Sequence, residues 1–421
     1  MPTSQHGVEK SRGGPRGASV GGGVWFLAVM FVGYFAFTAD RTVLSSVLKP
    51  LSAAVGANGS GYFGVAGTAW LASAQFIGVL CFVLASGYLA DRYGHRKVIF
   101  AGVVVFTAFT WLIGYAADFQ EAFVFRLVSG FGEGLFWPAA MSAVANYFGT
   151  SKGLTLGIFY AGFDLGGAAG NAIGAASYSL TSDWRAAFFV APLVGIPVIA
   201  GIAGSKRQFA EASTGTWSTS LGGGALSVLK GERAAAILAF AFFATWASIW
   251  QVAYLPYYYS ESLGAGVPLA GLIAAAVLAS GLLGKVLLGR LSDRVRRDRL
   301  LLVLSFAVVA AYGVFFSTTD FFLGLGCALM IGFFSSAVFP VMQALASDSS
   351  QGRTGMALGL TTTFQSVAAV IGTLLPGSLF YLGVGRAIAL GAMIPAIIMV
   401  LTALFLPEPR KTPSGIGTND L

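Results

Sequence analysis

The chain has 421 residues, of which 56% are hydrophobic and only 10% are charged, and its mean hydropathy is +0.78. A soluble domain carries about 25% charged residues, so this composition excludes an ordinary soluble enzyme and indicates a polytopic membrane protein. The 25 Lys and Arg residues outnumber the 17 Asp and Glu residues, which gives a net charge of +8. In a membrane protein such an excess marks the cytoplasmic loops, and we expect no nucleic-acid partner.

Apolar runs of membrane-spanning length, about 20 residues each, divide the chain into two sets of six helices. Polar tails are predicted over 1–22 and 407–421, and a polar linker over 205–232 separates bundles over 23–204 and 233–406. The predicted helices of the first bundle cover 24–48, 63–90, 97–116, 121–147, 153–179 and 185–204. Those of the second bundle cover 233–260, 266–291, 299–317, 320–346, 353–382 and 385–406.

Basic residues collect in alternate loops, and this asymmetry predicts the orientation. Arg92, Arg96, Lys152, Arg294 and Arg353 fall on the same side as both tails, and the positive-inside rule makes that side cytoplasmic. The sequence therefore predicts an all-α membrane protein with about twelve transmembrane helices. These form two six-helix pseudo-symmetric bundles with both termini in the cytoplasm. We expect a multi-pass monomer in a bacterial inner membrane.

Potential metal ligands are few. Cys81 and Cys327 lie in apolar runs, where they are interpreted as small buried side chains, and His6 lies in the first tail. With two cysteines and two histidines, neither a disulfide framework nor a metal site is expected, and we expect no cofactor.

The chain repeats itself without gaps at an offset of 202 residues. Gly87, Asp91 and Arg92 match Gly289, Asp293 and Arg294, and Pro138 matches Pro340. Chance matches between glycines are common in a chain with 57 of them, but the Asp-Arg and Pro matches in one register are not. Two halves of six helices in the same orientation are a known transporter architecture.

Two loops carry a family resemblance. Residues 87–97, Gly-Tyr-Leu-Ala-Asp-Arg-Tyr-Gly-His-Arg-Lys, resemble the helix 2–3 loop of the major facilitator superfamily, and residues 289–297 are similar to its degenerate copy between helices 8 and 9. The resemblance implies a cytoplasmic latch between the halves. Its physical basis is that Asp91 can pair with a basic residue and face a helix N-terminus. The residues assigned to the latch are Gly87, Asp91, Arg92, Gly94, Arg96, Gly289, Asp293 and Arg294.

Six charged residues lie inside the predicted helices, where a charge costs a few kcal/mol and is a functional hypothesis by default. Three are positive and three are negative, so the site can be neutral when it is empty. Adding an anion would make it negative, and protonating a buried carboxyl group would cancel that charge. The six are Asp40 and Arg41 on helix 1, Arg126 and Glu133 on helix 4, Asp164 on helix 5 and Lys285 on helix 8.

Five of these charges also have a structural interpretation. Arg41 and Arg126 lie near the outer interface and can snorkel. Asp40 can neutralise one of these two arginines instead of carrying a proton. Asp164 can be the structural partner of an arginine on helix 1 or helix 4, and Lys285 lies near enough to the end of helix 8 to snorkel.

Aromatic and amide side chains offer a wall opposite these charges. A cationic N-terminal half that faces an aromatic, amide-bearing C-terminal half suits a carboxylate on a small organic body. Simple packing is the alternative for such aromatic stripes. Besides Arg41, Arg126 and Lys285, the substrate-binding candidates are Tyr34, Tyr160, Trp250, Gln251, Tyr254, Gln343 and Gln365.

Helix 4 carries a second resemblance. Residues 130–138, Gly-Phe-Gly-Glu-Gly-Leu-Phe-Trp-Pro, are similar to a stretch of the anion:cation symporter family, and Asp40-Arg41 resembles its Asp-Arg pair on helix 1. The resemblance implies that Arg41 binds the substrate carboxylate and that Asp40 and Glu133 carry protons. Asp164 falls outside the pattern but remains a candidate for proton coupling.

The sequence thus predicts a secondary active transporter, not an enzyme. Its expected partners are a small organic anion, protons and the lipid bilayer. The anion is a sugar acid, an aromatic acid or a monocarboxylate, moved with protons by alternating access. A proton-coupled drug or metabolite exporter, a carboxylate exchanger and a non-transporting sensor of the same fold remain alternatives.

Gly166, Gly170 and Gly174 on helix 5 predict close helix packing, which we expect between the halves.

Overall fold

The computed structural model describes residues 20–54, 64–148, 152–212, 232–349 and 354–408. Within these ranges the chain is helical and has no β-strand. The helices of the N-terminal half are α1 Val20–Ala53, α2 Gly64–Tyr93, α3 His95–Ile113, α4 Phe119–Tyr147, α5 Lys152–Thr181, α6 Arg185–Val190, α7 Gly195–Gly204 and α8 Lys206–Ala212. Those of the C-terminal half are α9 Glu232–Ala253, α10 Leu255–Ser262, α11 Val267–Ser292, α12 Arg297–Ser317, α13 Phe321–Ser349, α14 Thr354–Ser378 and α15 Val384–Ala403.

The lengths of these helices confirm the prediction of about twelve transmembrane helices. Nine segments in the described ranges are long and apolar enough to cross a membrane, with α6 and α7 counted as one. The helices α4, α5 and α14 have 29, 30 and 25 residues, and about 20 are sufficient.

The two halves repeat the same packing, as the offset of 202 residues predicts. In the N-terminal half α4 lies against α2, and a Cβ on Gly130 would come within 2.2 Å of the Gln75 carbonyl oxygen. In the C-terminal half α13 lies against α11, and a Cβ on Gly332 would come within 2.3 Å of the Val277 carbonyl oxygen. Both members of the first contact are 202 residues before those of the second, so matched glycines allow matched helix pairs to approach closely.

Two predicted helices are interrupted. The helix predicted over 233–260 breaks at Tyr254, between α9 and α10, because Pro256 has no amide hydrogen with which to continue the helical bonds. The helix predicted over 185–204 contains a 3-10 turn with Pro192 near its start. Proline is common in membrane helices, so hydropathy alone does not show which prolines interrupt one.

The predicted linker over 205–232 begins with a helix. This is α8, whose Phe209 ring lies 5.1 Å from the ring of Phe26 in α1. Parts of the predicted linker and tails lie outside the described residues, namely 1–19, 213–231 and 409–421.

In the described ranges the halves meet along α5 with α11 and α2 with α14, and α1 also contacts α9, α10 and α11. We call the end of the bundle that holds the start of α1 and the end of α15 the terminal end, and the other the opposite end. Toward the opposite end, Ser73 Oγ donates to Thr373 Oγ1 at 2.8 Å and Lys49 Nζ donates to the Ser260 carbonyl at 2.5 Å. The two halves therefore pack together at the opposite end.

The glycine stripe of α5 lies within the N-terminal half, so the expectation that it packs between the halves is wrong. A Cβ on Gly166 would lie 2.2 Å from the Phe35 carbonyl oxygen of α1, and a Cβ on Gly170 would lie 2.3 Å from Thr42 Oγ1. The stripe thus allows α1 and α5 to approach closely. The contact between α5 and α11 uses Gly271 instead, where a Cβ would lie 2.5 Å from that of Ala175.

Candidate functional site

The six charges inside the helices form three ion pairs. Two pairs lie within the N-terminal half, and the third joins the halves. The carboxylates are at most 4% exposed, and a buried charge without a partner costs several kcal/mol, so the pairing keeps the empty site neutral. The pairs are Arg41 with Glu133 at 2.7 Å, Arg126 with Asp40 at 3.4 Å, and Lys285 with Asp164 at 2.8 Å.

Arg41 of α1 is held by aromatic rings as well as by Glu133 of α4. Its guanidinium carbon lies 4.2 Å from the ring centroid of Phe37 and 5.1 Å from that of Phe76. Aromatic faces attract a cation, so the rings stabilise the charge in the interior. The side chain is 11% exposed, and the structure does not support a snorkelling role for it.

Arg126 is 1% exposed and ties α4 to α1. Its Nη1 donates to the Asp40 carbonyl oxygen at 3.2 Å, and its Nη2 donates to the Arg41 carbonyl oxygen at 3.1 Å. The Asp40 carboxylate also accepts hydrogen bonds from Thr110 and Ser129. Of the two arginines that the sequence offers to Asp40, the structure selects Arg126. The Nε of Arg126 is buried and finds no hydrogen-bond partner within the described ranges.

Gln75 of α2 connects the two pairs, and it is not among the site residues predicted from the sequence. Its Nε2 donates to Glu133 Oε1 at 2.5 Å and to Asp40 Oδ2 at 3.2 Å. One amide group thus donates to two carboxylates on different helices, which links the environment of each carboxylate to that of the other.

A cavity lies between these pairs and the C-terminal half. It has room for about one water molecule, so in this conformation it is too small for an organic acid. Arg41 and Arg126 of the N-terminal half line this space. The C-terminal half contributes Val252 and Ala253, next to the break between α9 and α10. The lining residues are Arg41, Leu44, Ser45, Ala72, Gln75, Phe76, Arg126, Val252 and Ala253.

Asp164 pairs with Lys285 across the two halves, and the alternative of an arginine partner on helix 1 or helix 4 is wrong. Lys285 Nζ lies 2.9 Å from Asp164 Oδ1 and 2.8 Å from Oδ2. The ammonium also lies 4.9 Å from the ring centroid of Phe163. The reason is geometric: α5 packs on α11 at this level, so the two side chains face each other.

Three of the predicted substrate-binding side chains, Tyr34, Tyr160 and Gln343, are linked to one another by a ring contact and a hydrogen bond. The ring of Tyr34 stacks on that of Phe159 at 4.5 Å and meets that of Tyr160 edge-on at 5.9 Å. The Tyr160 hydroxyl donates to Met141 Sδ at 3.1 Å, and it also hydrogen-bonds with Gln343 of α13. This aromatic group therefore contacts both halves.

The predicted substrate-binding residues around the end of α9, Trp250, Gln251 and Tyr254, lie in a polar network of the C-terminal half and do not line the described cavity. Trp250 Nε1 and Gln251 Nε2 each donate to the Tyr312 hydroxyl at 3.1 Å. The Tyr254 hydroxyl donates to the Thr373 carbonyl oxygen at 2.6 Å. Gln365 is buried, at 8% exposure. In this structure the polar atoms of Trp250, Gln251 and Tyr254 that were predicted to bind a substrate therefore bind other protein groups.

Three residues assigned to the latch, Arg92, Arg96 and Asp293, contact groups of their own half. Arg96 donates to the carbonyl oxygens of Ile202 and Ala203 at the end of α7, and Arg92 donates to the Tyr88 hydroxyl. Gly94 has a φ of +90°, which favours glycine at that turn. In the second copy Asp293 pairs with Arg297 at 3.3 Å, and Gly87, Gly289 and Arg294 lie in the matching segments. The side chain of Asp91 lies outside the described structure.

Comparison with known proteins identifies relatives over most of the chain. The family model of the Major Facilitator Superfamily matches residues 30–254 and 234–420. The 3-(3-hydroxy-phenyl)propionate transporter of Escherichia coli K12 is 26% identical over 362 residues, which cover 82% of this chain and 85% of the relative. The 4-hydroxybenzoate transporter PcaK of Pseudomonas putida is 36% identical over 104 residues, 24% of this chain and 23% of the relative. The agnestins efflux protein AgnL12 of Paecilomyces divaricatus is 25% identical over 347 residues, 80% of this chain and 76% of the relative.

Solved structures share the fold. The D-xylose-proton symporter superposes with a TM-score of 0.75 and 18% identity, covering 92% of this chain and 98% of that chain. A bacterial homolog of the human lysosomal transporter Spinster, in an inward-facing and occupied conformation, gives a TM-score of 0.70 at 17% identity, covering 91% of this chain and 94% of that chain.

Proposed function

The chain belongs to the Major Facilitator Superfamily and is a membrane transporter, and from this premise we propose that it moves an organic anion together with protons. The observation that carries the proposal is the pairing of Arg41, beside the cavity, with the buried carboxylate of Glu133 at 2.7 Å. Two relatives are named for hydroxylated aromatic acids, which favours an aromatic carboxylate over a sugar acid as the substrate.

The coupling follows from competition for Arg41. When a substrate carboxylate binds the guanidinium, Glu133 loses its ion pair inside the protein, where an unpaired charge costs about 3–5 kcal/mol. A proton on Glu133 removes that cost, because the neutral acid needs no counter-ion. The anion and the proton therefore bind together, and the site remains neutral.

Arg126 and Asp40 position Arg41 in this scheme. Arg126 binds the backbone of α1 at Asp40 and Arg41, and its unused Nε is a second donor for the anion. Asp40 is a further candidate proton carrier, since Gln75 ties its carboxylate to that of Glu133.

We place the terminal end in the cytoplasm of a bacterial cell, because the basic loops lie there. The opposite end, where Ser73 meets Thr373, then faces the outside and is closed. The contacts of Arg92 and Arg96 within their own half fit a cytoplasmic end at which the latch is open.

Uptake into proteoliposomes tests the substrate. We expect a labelled panel, from lactate and sugar acids through 3-(3-hydroxyphenyl)propionate and 4-hydroxybenzoate to oxalate, to show one class stimulated by an inward proton gradient. Loss of that uptake in Arg41→Ala would assign it to this site. A gradient that stimulates none of these acids would contradict the proposal.

A substitution at Glu133 tests the coupling. Glu133→Gln keeps the shape of the protonated acid but cannot release a proton, so we expect gradient-driven uptake to fall to background while exchange of internal for external anion continues. The control is Glu211→Gln, because Glu211 pairs with the exposed Arg207 on α8, outside the proposed site. Undiminished gradient-driven uptake in Glu133→Gln would exclude Glu133 as the coupling group.

Export is the second candidate function, favoured by the similarity to AgnL12 over 80% of this chain. The same site would then exchange an internal metabolite anion for external protons. Loading the anion inside the proteoliposomes and acidifying the outside distinguishes the two directions. Since Arg41 and Arg126 repel cations, we expect no transport of cationic drugs in either direction.

A further inference from the structure

The buried charges are divided unequally between the halves. The N-terminal half contributes two arginines and three carboxylates to the three pairs, a net charge of −1, and the C-terminal half contributes Lys285 alone. The site is therefore neutral only while Lys285 of α11 stays beside Asp164 of α5. Neither pair within the N-terminal half has this property, since its partners lie on helices of one bundle.

The two side chains of this pair differ in their exposure to solvent. Both oxygens of Asp164 lie within 2.9 Å of the ammonium. The Asp164 side chain is 1% exposed, whereas that of Lys285 is 17% exposed. In the paired state the ammonium is therefore the more hydrated partner, and the carboxylate depends on it for its neutralisation.

Few other charges reach Asp164. From α1, Tyr34 is the titratable group that interacts with it, and Arg41 and Glu133 of α1 and α4 also interact with that phenol. On α5 itself Tyr160 lies one turn away. From α6, Arg185 binds the Ala116 carbonyl oxygen near the opposite end. Lys285 is thus the one cation in contact with Asp164 in the described part of the chain.

We propose that Asp164 is a second proton-binding site, so that the carrier moves two protons with each monovalent anion and brings net positive charge inward. The stoichiometry rests on the proposed function, whereas the second proton site itself does not. The contact of α5 with α11 joins the halves at Asp164 and continues toward the opposite end at Gly271. Opening the opposite end requires these helices to part and exposes the unpaired carboxylate to the outside.

The proton balance is simple. A proton from the outside binds an oxygen of Asp164 when Lys285 moves away, because a neutral acid avoids the cost of a buried, unpaired charge. When the opposite end closes again, Lys285 re-forms its ion pair with the Asp164 carboxylate, and the proton leaves toward the terminal end. One proton is thereby moved in addition to the one on Glu133, and no other bond is made or broken.

A substrate-free measurement tests the second site. We would replace Ser73 and Thr373 by Cys in a background with Cys81→Ser and Cys327→Ser, and measure cross-linking by a short bifunctional thiol reagent from pH 8 to pH 5. Because thiol reactivity itself falls with pH, the yield at each pH is expressed relative to that of a Cys pair within one half, at Ser280 and Leu329. We expect cross-linking to fall severalfold as the pH falls, because protonated Asp164 releases Lys285. In Asp164→Asn we expect the same low cross-linking at every pH.

A control variant makes the result specific. Glu211→Gln removes an ion pair with the exposed Arg207 within the N-terminal half and should keep the full pH dependence. If Asp164→Asn is not folded, the double variant Asp164→Asn and Lys285→Gln removes both charges and should also lose the pH dependence. Cross-linking that is independent of pH in the wild type, or still dependent on pH in Asp164→Asn, would overturn the proposal.

The stoichiometry is tested by current measurements on proteoliposomes with 3-(3-hydroxyphenyl)propionate as the probe. We expect about one positive charge per molecule in the wild type and none in Asp164→Asn, which retains the proton on Glu133. Electroneutral uptake by the wild type would overturn the two-proton stoichiometry. Absence of any uptake of the acid panel would count against the proposed function, and the cross-linking result would still decide the role of Asp164.

Discussion

Arg41 keeps hydrogen-bond donors in reserve while it is paired with Glu133. The described bond to Glu133 uses Nε, and a guanidinium carries five N–H donors in a planar fork. The rings of Phe37 and Phe76 hold the cation in place, so the group need not move when its partner changes. In the proposed mechanism, a substrate carboxylate binds the Nη donors before Glu133 leaves.

Arg41→Lys tests this use of the fork. Lysine keeps the charge but loses the planar donors and the stacking on the two rings, so we expect the KM for uptake to rise about tenfold or more, which corresponds to about 1.4 kcal/mol. The control is Arg207→Lys, because Arg207 lies on the exposed helix α8 and pairs with Glu211. An unchanged KM would mean that the substrate does not bind the guanidinium.

The sequence predicted the charged residues of the site but not their partners. A charged residue in an apolar run is easily recognised, so Asp164 and Lys285 are predicted from the sequence. Their pairing depends on which helices pack together and is therefore not predicted. Gln75, Thr110 and Ser129 were missed because a neutral polar side chain in a helix commonly hydrogen-bonds its own backbone and gives no distinguishing signal. The only hint for Gln75 was an amide in an otherwise apolar run.

At the scale of the helices, the length of an apolar run predicts where a helix begins and ends. It does not predict which helices pack against each other. The start and end of α4 were predicted within two residues, because the polar residues that flank a membrane helix mark where it ends. The glycine stripe of α5 correctly indicated a close contact. Its partner α1 could not be read from the sequence, since the same pattern would serve any neighbouring helix.

Gly170→Val tests the contact between α5 and α1. Its Cβ would lie 2.3 Å from Thr42 Oγ1 and 2.4 Å from the Ala39 carbonyl oxygen, so the helices must move apart. Because overpacking costs about 1–3 kcal/mol even against movable side chains, we expect a clear fall in the melting temperature of the purified protein. Gly157→Val is the matched control, since a Cβ there meets nothing within 4 Å. Equal melting temperatures would contradict the described packing.

For the whole molecule, the repeat predicts two similar halves but not how they are arranged in this structure. A carrier that alternates between two conformations has the same sequence in both, so the sequence cannot indicate which end is closed. In this structure the halves are packed together at the opposite end. The contacts that close it include the polar pairs Ser73 with Thr373 and Lys49 with Glu261. Apolar side chains of both halves also pack there, since Ala69 of α2 lies against Gly377 of α14.

The contact of Ser73 with Thr373 provides a means of stopping the cycle. We expect cross-linking of Cys at these two positions to abolish both net uptake and exchange, because the opposite end can no longer open. Reduction of a cleavable cross-linker should restore both activities. Either single Cys variant treated with the same reagent is the control, and transport that continues after complete cross-linking would contradict alternating access through this end.

The small size of the cavity beside Arg41 has a consequence for anyone who measures ligand affinity. Because the space holds about one water molecule, an anion that binds beside Arg41, as we propose, selects only the fraction of molecules in which this space has widened. The apparent Kd is the intrinsic Kd divided by that fraction. Affinities measured on the resting protein thus understate the strength of the site, and variants that open more readily should bind inhibitors more tightly without gaining a single contact.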